Sequence, residues 1–254
     1  MANDILFETV NLSKHFGALA AVDDVSLQIR RNTLHAIIGP NGAGKTTLFN
    51  LLSGNLKPTS GKVFYNGADI TGQPIHRMIH LGIGRSFQIT NVFPNLTVFE
   101  NIRLATQAME KGNFKFLTDA LRMQRCVERT WQVVERVGLK DKVYFPARML
   151  PHGDQRKLEL GMILAPDPAV LLLDEPTAGM AAEQVPELIH LIQEVQQDGT
   201  KTVILVEHNM NVVMSISDTI TVMNLGKKLA EGTPEEITKN KEVQTAYLGG
   251  LYEL

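Results

Sequence analysis

Residues 39–46 read GPNGAGKT and residues 170–176 read VLLLDEP. The first stretch fits every fixed position of the phosphate-binding loop pattern G-x-x-x-x-G-K-[ST]. Its chemistry is anion binding. Gly42 and Gly44 let backbone N–H groups converge on phosphate oxygens, and Lys45 adds a point charge for the β- and γ-phosphates. The Thr46 hydroxyl is placed to hold Mg2+, and a helix opening at the same point contributes a favourable dipole. The second stretch is an apolar run ending in two carboxylates. Asp174 would stand by the metal, while Glu175 would polarise an attacking water, a general-base effect of roughly 10²–10⁴-fold. Acids often end strands, so the pair alone carries little. Downstream of a phosphate loop, with Pro176 closing the turn, it completes a site for ATP or GTP.

Such chemistry needs rigid elements beneath it. The loop follows the apolar run LHAIIG (34–39), read as a strand, and residues 46–53 carry a helical pattern. The first ninety residues alternate strand-like runs with turns, as in VDDVSLQIRR (22–31) and GKVFYNGADI (61–70), with Gly61 and Asn66-Gly67 as turn formers. From 97 to 160 β-branched pairs give way to Arg, Glu, Gln and Met. Val127, Trp131, Val134 and Val137 recur there at helical spacing, and Gly138 marks a stop, so this region reads as a helical lobe. Strand runs return as VLLLD (170–174), TVILVE (202–207) and TITVMN (219–224). The helix between the first two carries Val185, Leu188, Ile192 and Val195 on one face. Fully apolar strands separated by helices point to a buried parallel sheet.

The remaining features narrow the class. The 254 residues suffice for one large domain, or one domain with an inserted lobe. Lys and Arg total 25 against 27 for Asp and Glu, a net charge of −2 that offers no global attraction to nucleic acid. Cys126 is the only cysteine, which precludes an internal disulfide and suits a reducing compartment. It reads as a packing residue. MANDILFETV lacks a basic region followed by a long apolar stretch, so no secretory signal is expected. No run approaches the ~20 apolar residues needed to cross a bilayer. Work at a membrane would need another chain.

The phosphate loop, RSFQ (85–88), LPHGDQ (150–155), LLLDEP (171–176) and VEH (206–208) occur in the order found in ATP-binding-cassette transporter ATPases, and the chain resembles that superfamily over essentially its whole length. It is most similar to the branched-chain amino-acid import ATPases. AEGTPEEITKNKEVQTAYLG (230–249) is similar to their C-terminal tail and LPHGDQRKLEL (150–160) to their signature region. Urea-import ATPases share a similar signature stretch. The resemblance implies an α/β fold: a P-loop NTPase core with a parallel sheet, an N-terminal antiparallel β subdomain and an inserted α-helical lobe. Residues 1–88 and 157–232 would form the core, 89–156 the lobe and 233–254 a tail.

The resemblance also implies ATP and Mg2+ as ligands. Nucleotide contacts would come from Gly39, Asn41, Gly42, Ala43, Gly44, Lys45, Thr46 and Thr47, with Phe16 stacking on adenine. Thr46, Asp174 and Gln88 would hold the metal. Glu175 would be catalytic, with His208 touching the γ-phosphate and Gln88 sensing metal and water. Implied partners are a second cassette (a copy or a paralogue), transmembrane permease subunits and, indirectly, an extracytoplasmic solute-binding protein. The chain would sit peripherally on the cytoplasmic face of the membrane, docked near Gln88 through the apolar stretch ITNVFPNLTVFENI (89–102), with no nucleic-acid partner.

Two positions depart from the family pattern. Ala181 stands where Asp or Asn is usual, and Pro151 replaces the signature serine that donates to the γ-phosphate held by the other subunit. Proline lacks both hydroxyl and N–H, but its φ suits the first turn of a following helix, leaving Gly153 and the helix terminus for the phosphate. The expectation is a weakened site on the partner, since one hydrogen bond to a charged group is worth roughly 1.5–3 kcal/mol. Two other classes fit the residues less well. A soluble cassette acting on ribosomes or DNA usually has two cassettes or a long coiled-coil insertion, and neither is seen. A non-hydrolysing regulatory subunit fits Pro151 and Ala181 but not the intact Lys45, Asp174, Glu175 and His208.

Overall fold

The computed structural model describes residues 4–86, 92–107 and 120–248, with side chains 120–123 and 247–248 left aside. The chain opens with a long hairpin, β1 (Ile5–Phe16) and β2 (Leu19–Arg30), then enters the buried strand β3 (Leu34–Ile38) and, past the glycine-rich loop, α1 (Lys45–Leu52). Next come β4 (Ser60–Tyr65), β5 (Ala68–Asp69), the short α2 (Ile75–Met78) and β6 (Ile83–Arg85). The lobe contributes α3 (Val98–Gln107), α4 (Ala120–Arg136) and α5 (His152–Leu164). The chain then alternates β7 (Val170–Asp174), α6 (Val185–Gln197), β8 (Thr202–Val206), α7 (Met210–Ile216) and β9 (Thr219–Asn224). It closes with β10 (Lys227–Gly232), α8 (Pro234–Lys239) and α9 (Lys241–Val243).

Two sheets result. One is antiparallel, in the order β2-β1-β4-β5; the other runs β10-β9-β3-β8-β7-β6, parallel except for the edge strand β10. The period-2 alternation of a strand explains how continuous apolar runs serve both sides of the larger sheet. Val170, Leu172, Ile204 and Val206 join the cluster formed with α1 and the antiparallel sheet. Leu171, Leu173, Val203 and Leu205 face the cluster that takes in the helical lobe and α6. The register aligns the carboxyl ends of three strands, with Ile37 opposite Val206 and Val206 opposite Asp174. In open α/β sheets that edge is where ligands bind.

The lobe differs from expectation in two details. The boundary drawn at 156/157 falls inside α5, which runs unbroken to Leu164, while the strand returns at Val170 as its apolar run indicated. On α4 the buried side chains are Cys126, Thr130, Val133 and Val134, followed just past its end by Val137, whereas Val127 and Trp131 are partly exposed and Trp131 rests against Phe99, with ring centroids 5.4 Å apart. The reason is orientation: the helix turns its Cys126–Thr130 side toward α3, where Thr130 Oγ1 meets Thr106 Oγ1 at 3.5 Å.

One buried polar group sits in the middle of the sheet. His35 is 1% exposed, with Nε2 2.8 Å from Thr221 Oγ1. The Thr221 hydroxyl donates onward to Glu231 Oε2 at 3.2 Å, so the neutral ring donates from Nε2. Burial lowers the His35 pKa from an ordinary 6.5 to about 4; Glu231 opposes this and Lys228 reinforces it. Between those values the unfolded chain takes up a proton that the folded chain refuses. This contribution to stability is therefore fully present above pH 6.5 and is lost as pH falls through about 4, a loss of about 3 kcal/mol. We predict that His35→Gln lowers stability at neutral pH yet flattens the fall in denaturant midpoint between pH 6.5 and 4. Equal slopes in wild type and variant would show that His35 does not set the acid sensitivity.

Candidate active site

The loop after β3 closes against neighbouring backbone at Gly39 and Gly44, where no side chain would fit. A Cβ on Gly39 would lie 2.2 Å from the Met223 carbonyl oxygen, and one on Gly44 (φ +97°) would lie 2.2 Å from that of Ala21. Gly44 is the N-cap of α1, and no side chain caps that helix, so its first N–H groups remain for an anion. Lys45 folds back over the loop, donating from Nζ to the Gly39 carbonyl at 2.7 Å and the Pro40 carbonyl at 3.0 Å. Burial lowers its pKa, while the charges of Glu175 and Asp174 work the other way.

Loop residues 41–47 and Glu175 line a cleft of about 420 Å³, completed by Leu19, Ala20, Ala21 and Leu225. Asp174 is buried at the end of β7, and its N–H donates to Ser86 Oγ at 2.9 Å. Burial raises the Asp174 pKa, as does Glu175, against the pull of Arg85 and Lys45. Its carboxylate makes no hydrogen bond among the described residues. Glu175 takes a left-handed backbone (φ +46°), and its N–H donates to the Val206 carbonyl at 2.8 Å. His208 Nδ1 stands 3.9 Å from Glu175 Oε1.

The chemistry of this donor set fits a phosphate chain carrying a divalent cation. A buried carboxylate whose ionisation is opposed by its surroundings gains most from a metal beside it. Among the described residues no cluster of three or more His, Cys, Asp or Glu forms a ready-made metal cage. Mg2+ needs none, being commonly held by one or two protein oxygens together with substrate phosphates. Thr46 and Asp174 are the described residues that would supply them.

Other expected site residues are less close. Phe16 ends β1, is 48% exposed and has the Lys14 ammonium 5.2 Å from its ring centroid. Gln88 lies outside the described residues, as do residues 89–91 of the expected dock; Val92 packs against the lobe, while Phe93 is half exposed. Pro151 is the N-cap of α5, one residue earlier than a first-turn position. None of residues 150–155 lines the cleft of its own chain. Gly153, expected to serve the partner's phosphate, is buried in this chain, and a Cβ there would meet Gln184 Oε1 at 2.8 Å, so the Gln184 side chain lies over it. The same loop holds α5 elsewhere, since Arg156 Nη2 donates to the Ala178 carbonyl at 3.3 Å.

Two groups escaped the sequence reading. Glu207 is 0% exposed. Its Oε1 accepts from the Thr177 N–H at 3.2 Å and from the Thr177 hydroxyl, and its Oε2 accepts from the N–H groups of His208 at 3.0 Å and Asn209 at 3.2 Å. One carboxylate thus clamps the turn after Glu175 to the turn bearing His208. Its place in VEH, just past an apolar strand, was the available signal. Ser86 is the second: besides accepting from Asp174, its N–H donates to the Leu172 carbonyl at 2.8 Å, anchoring the chain two residues before Gln88.

The ABC transporter family profile matches residues 22–178, and that of the branched-chain amino acid ATP-binding cassette transporters matches residues 227–252. The high-affinity branched-chain amino acid transport ATP-binding protein LivG of Salmonella typhimurium is 42% identical, over 94% of this chain and 95% of its own. LivG of Escherichia coli is 39% identical, over 96% of this chain and 98% of its own. The crystal structure of the ADP conformation of an ATP-binding cassette of an ABC transporter superposes with a TM-score of 0.84 at 28% identity, covering 97% of this chain and all of that one. With its phosphate loop and paired carboxylates carried on that fold, the chain belongs to the ABC transporter family as an ATP-binding, ATP-hydrolysing subunit.

Proposed function

We propose that this ATPase powers uptake of branched-chain amino acids through separate membrane subunits. The carrying observation is the match of residues 227–252 to the branched-chain cassette profile, beside full-length similarity to the LivG proteins. The cassette would pair with a second one, identical or paralogous. An extracytoplasmic binding protein would deliver cargo to the permease. No described helix is long and apolar enough to cross a membrane. In this reading the permease holds the chain at the cytoplasmic face. An apolar groove of about 340 Å³ between core and lobe, lined by Met78, Ile79, Arg85, Ala105, Met162 and Ile163, supports such docking.

In this reading Lys45 exchanges its two loop carbonyls for phosphate oxygens, and the N–H groups opening α1 take the rest of the phosphate charge. Bound Mg2+ would neutralise phosphate charge and orient the reacting phosphoryl group, held by Thr46 and Asp174, with Gln88 as a further ligand. Glu175 polarises the attacking water, and His208, 3.9 Å away, reaches the γ-phosphate. Glu207 fixes the backbone that aims His208. Gly153 would serve the partner's nucleotide only after Gln184 moves aside.

Four outcomes test this. Lys45→Ala should weaken Mg-ATP binding by about ten- to a hundredfold, the worth of one charged hydrogen bond, with the fold retained; unchanged affinity in a calorimetric titration removes the phosphate-loop role. In the reconstituted complex, labelled leucine should enter in an ATP-dependent manner and Glu175→Gln should stop it; uptake of urea in its place would reassign the cargo. Glu207→Gln turns one acceptor into a donor facing N–H groups. It should cost about 2 kcal/mol of stability and lower kcat more than it raises KM. A destabilised protein with normal kcat would leave Glu207 a purely structural clamp. Pro151→Ser should raise turnover at the partner's site by up to about tenfold, and no gain would mean the missing hydroxyl is already compensated.

A further inference from the structure

Seven described non-glycine residues have positive φ: Asn11, Asp24, Asn32, Asn66, Asp167, Glu175 and Leu225. The first five are Asn or Asp, whose short polar side chains tolerate a left-handed backbone. The other two line the same cleft. Glu175 has a role there; Leu225 has none assigned. Its placement is costly twice over, with φ at +48° and the side chain 81% exposed. Leu225 and Gly226 (φ +79°) form the two-residue turn between β9 and β10, of the kind that favours Asn-Gly. Strained backbone of this sort persists where the surroundings enforce it, and it concentrates at ligand clamps.

The turn is fixed against the phosphate loop. The Gly226 N–H donates to the Ala43 carbonyl at 3.1 Å, and the Gly226 carbonyl accepts from the Asp23 N–H at 2.8 Å. Lys227 pairs with Asp23 at 3.3 Å. Leu225 is therefore a held wall of the cleft. It shares that wall with Leu19, which is 65% exposed and lies opposite Phe16 in the β1–β2 register. The cleft is thus divided: N–H groups and an ammonium at the loop, apolar side chains elsewhere. That division matches a phosphate chain joined to a flat, largely apolar base and its sugar.

We infer that Leu225 contacts the bound nucleotide, packing with Leu19 against the base–ribose portion of ATP. This rests on the ATP-binding reading above. The test is calorimetric titration of Leu225→Asn and Leu225→Met with Mg-ATP and with inorganic tripolyphosphate, alongside thermal unfolding. Asparagine suits the turn, so the Leu225→Asn midpoint should hold or rise. Its ATP affinity should fall about three- to tenfold, the worth of part of a buried leucine, while tripolyphosphate affinity stays unchanged. Leu225→Met should keep wild-type ATP affinity. The assignment is overturned by unchanged ATP affinity in Leu225→Asn, by equal losses for ATP and tripolyphosphate, by a lowered midpoint, or by a Leu225→Met defect as large. Normal ATP affinity with lost dimerisation would give Leu225 to the second cassette. Wild-type protein that binds neither ligand would instead remove the nucleotide reading itself.

Discussion

The Lys45 ammonium, held by the Gly39 and Pro40 carbonyls, is the interaction on which the rest of the site depends. It is a buried positive charge, joined by Arg85, beside two carboxylates that oppose one another, since Glu175 helps raise the pKa of Asp174. That arrangement is electrostatically incomplete. Among the described residues Lys45 has only neutral carbonyls as hydrogen-bond partners, and the Asp174 carboxylate has none. A phosphate chain with its cation answers both needs at once, and it costs no burial beyond what the fold has already imposed.

The fold serves this by bringing three strand ends into register. Because β7 and β8 alternate their side chains between two apolar clusters, both faces of the sheet are packed, and a one-residue slip would move every side chain into the other cluster. The rigid edge then carries the loop after β3, Asp174 after β7, and Glu207 and His208 after β8. Glu207 joins the last two turns through four donors, so displacement of one loop is felt by the other. Arg156 and Gln184 extend the connection to the signature helix, which makes the loop after Glu175 a shared contact of both functional ends of the chain.

Much of this was legible in the residues. The glycine-rich loop and the acid pair are local patterns whose spacing determines their chemistry, and the apolar strands announced a doubly covered sheet. What stayed hidden depended on contacts distant in sequence. Glu207 reads as an ordinary surface acid until donors from two loops converge on it. The cover over Gly153 comes from a side chain 31 positions away (153 to 184). Leu225 looked like any turn residue, because sequence shows neither its φ nor the loop it leans on. The drawn lobe boundary lies within one helix, because α5 has no break at Arg156 and its apolar and polar residues continue evenly into Leu164.

The similarity to amino-acid transport cassettes bears on the cargo, whereas the geometry bears on the machine, and the central claim is about the machine. The most direct measurement is a crystal structure of Glu175→Gln grown with Mg-ATP. The account requires the Lys45 Nζ to have left the Gly39 and Pro40 carbonyls for phosphate oxygens, with Asp174 and Thr46 beside the metal. A nucleotide bound elsewhere, or a Lys45 still resting on its two carbonyls, would contradict it.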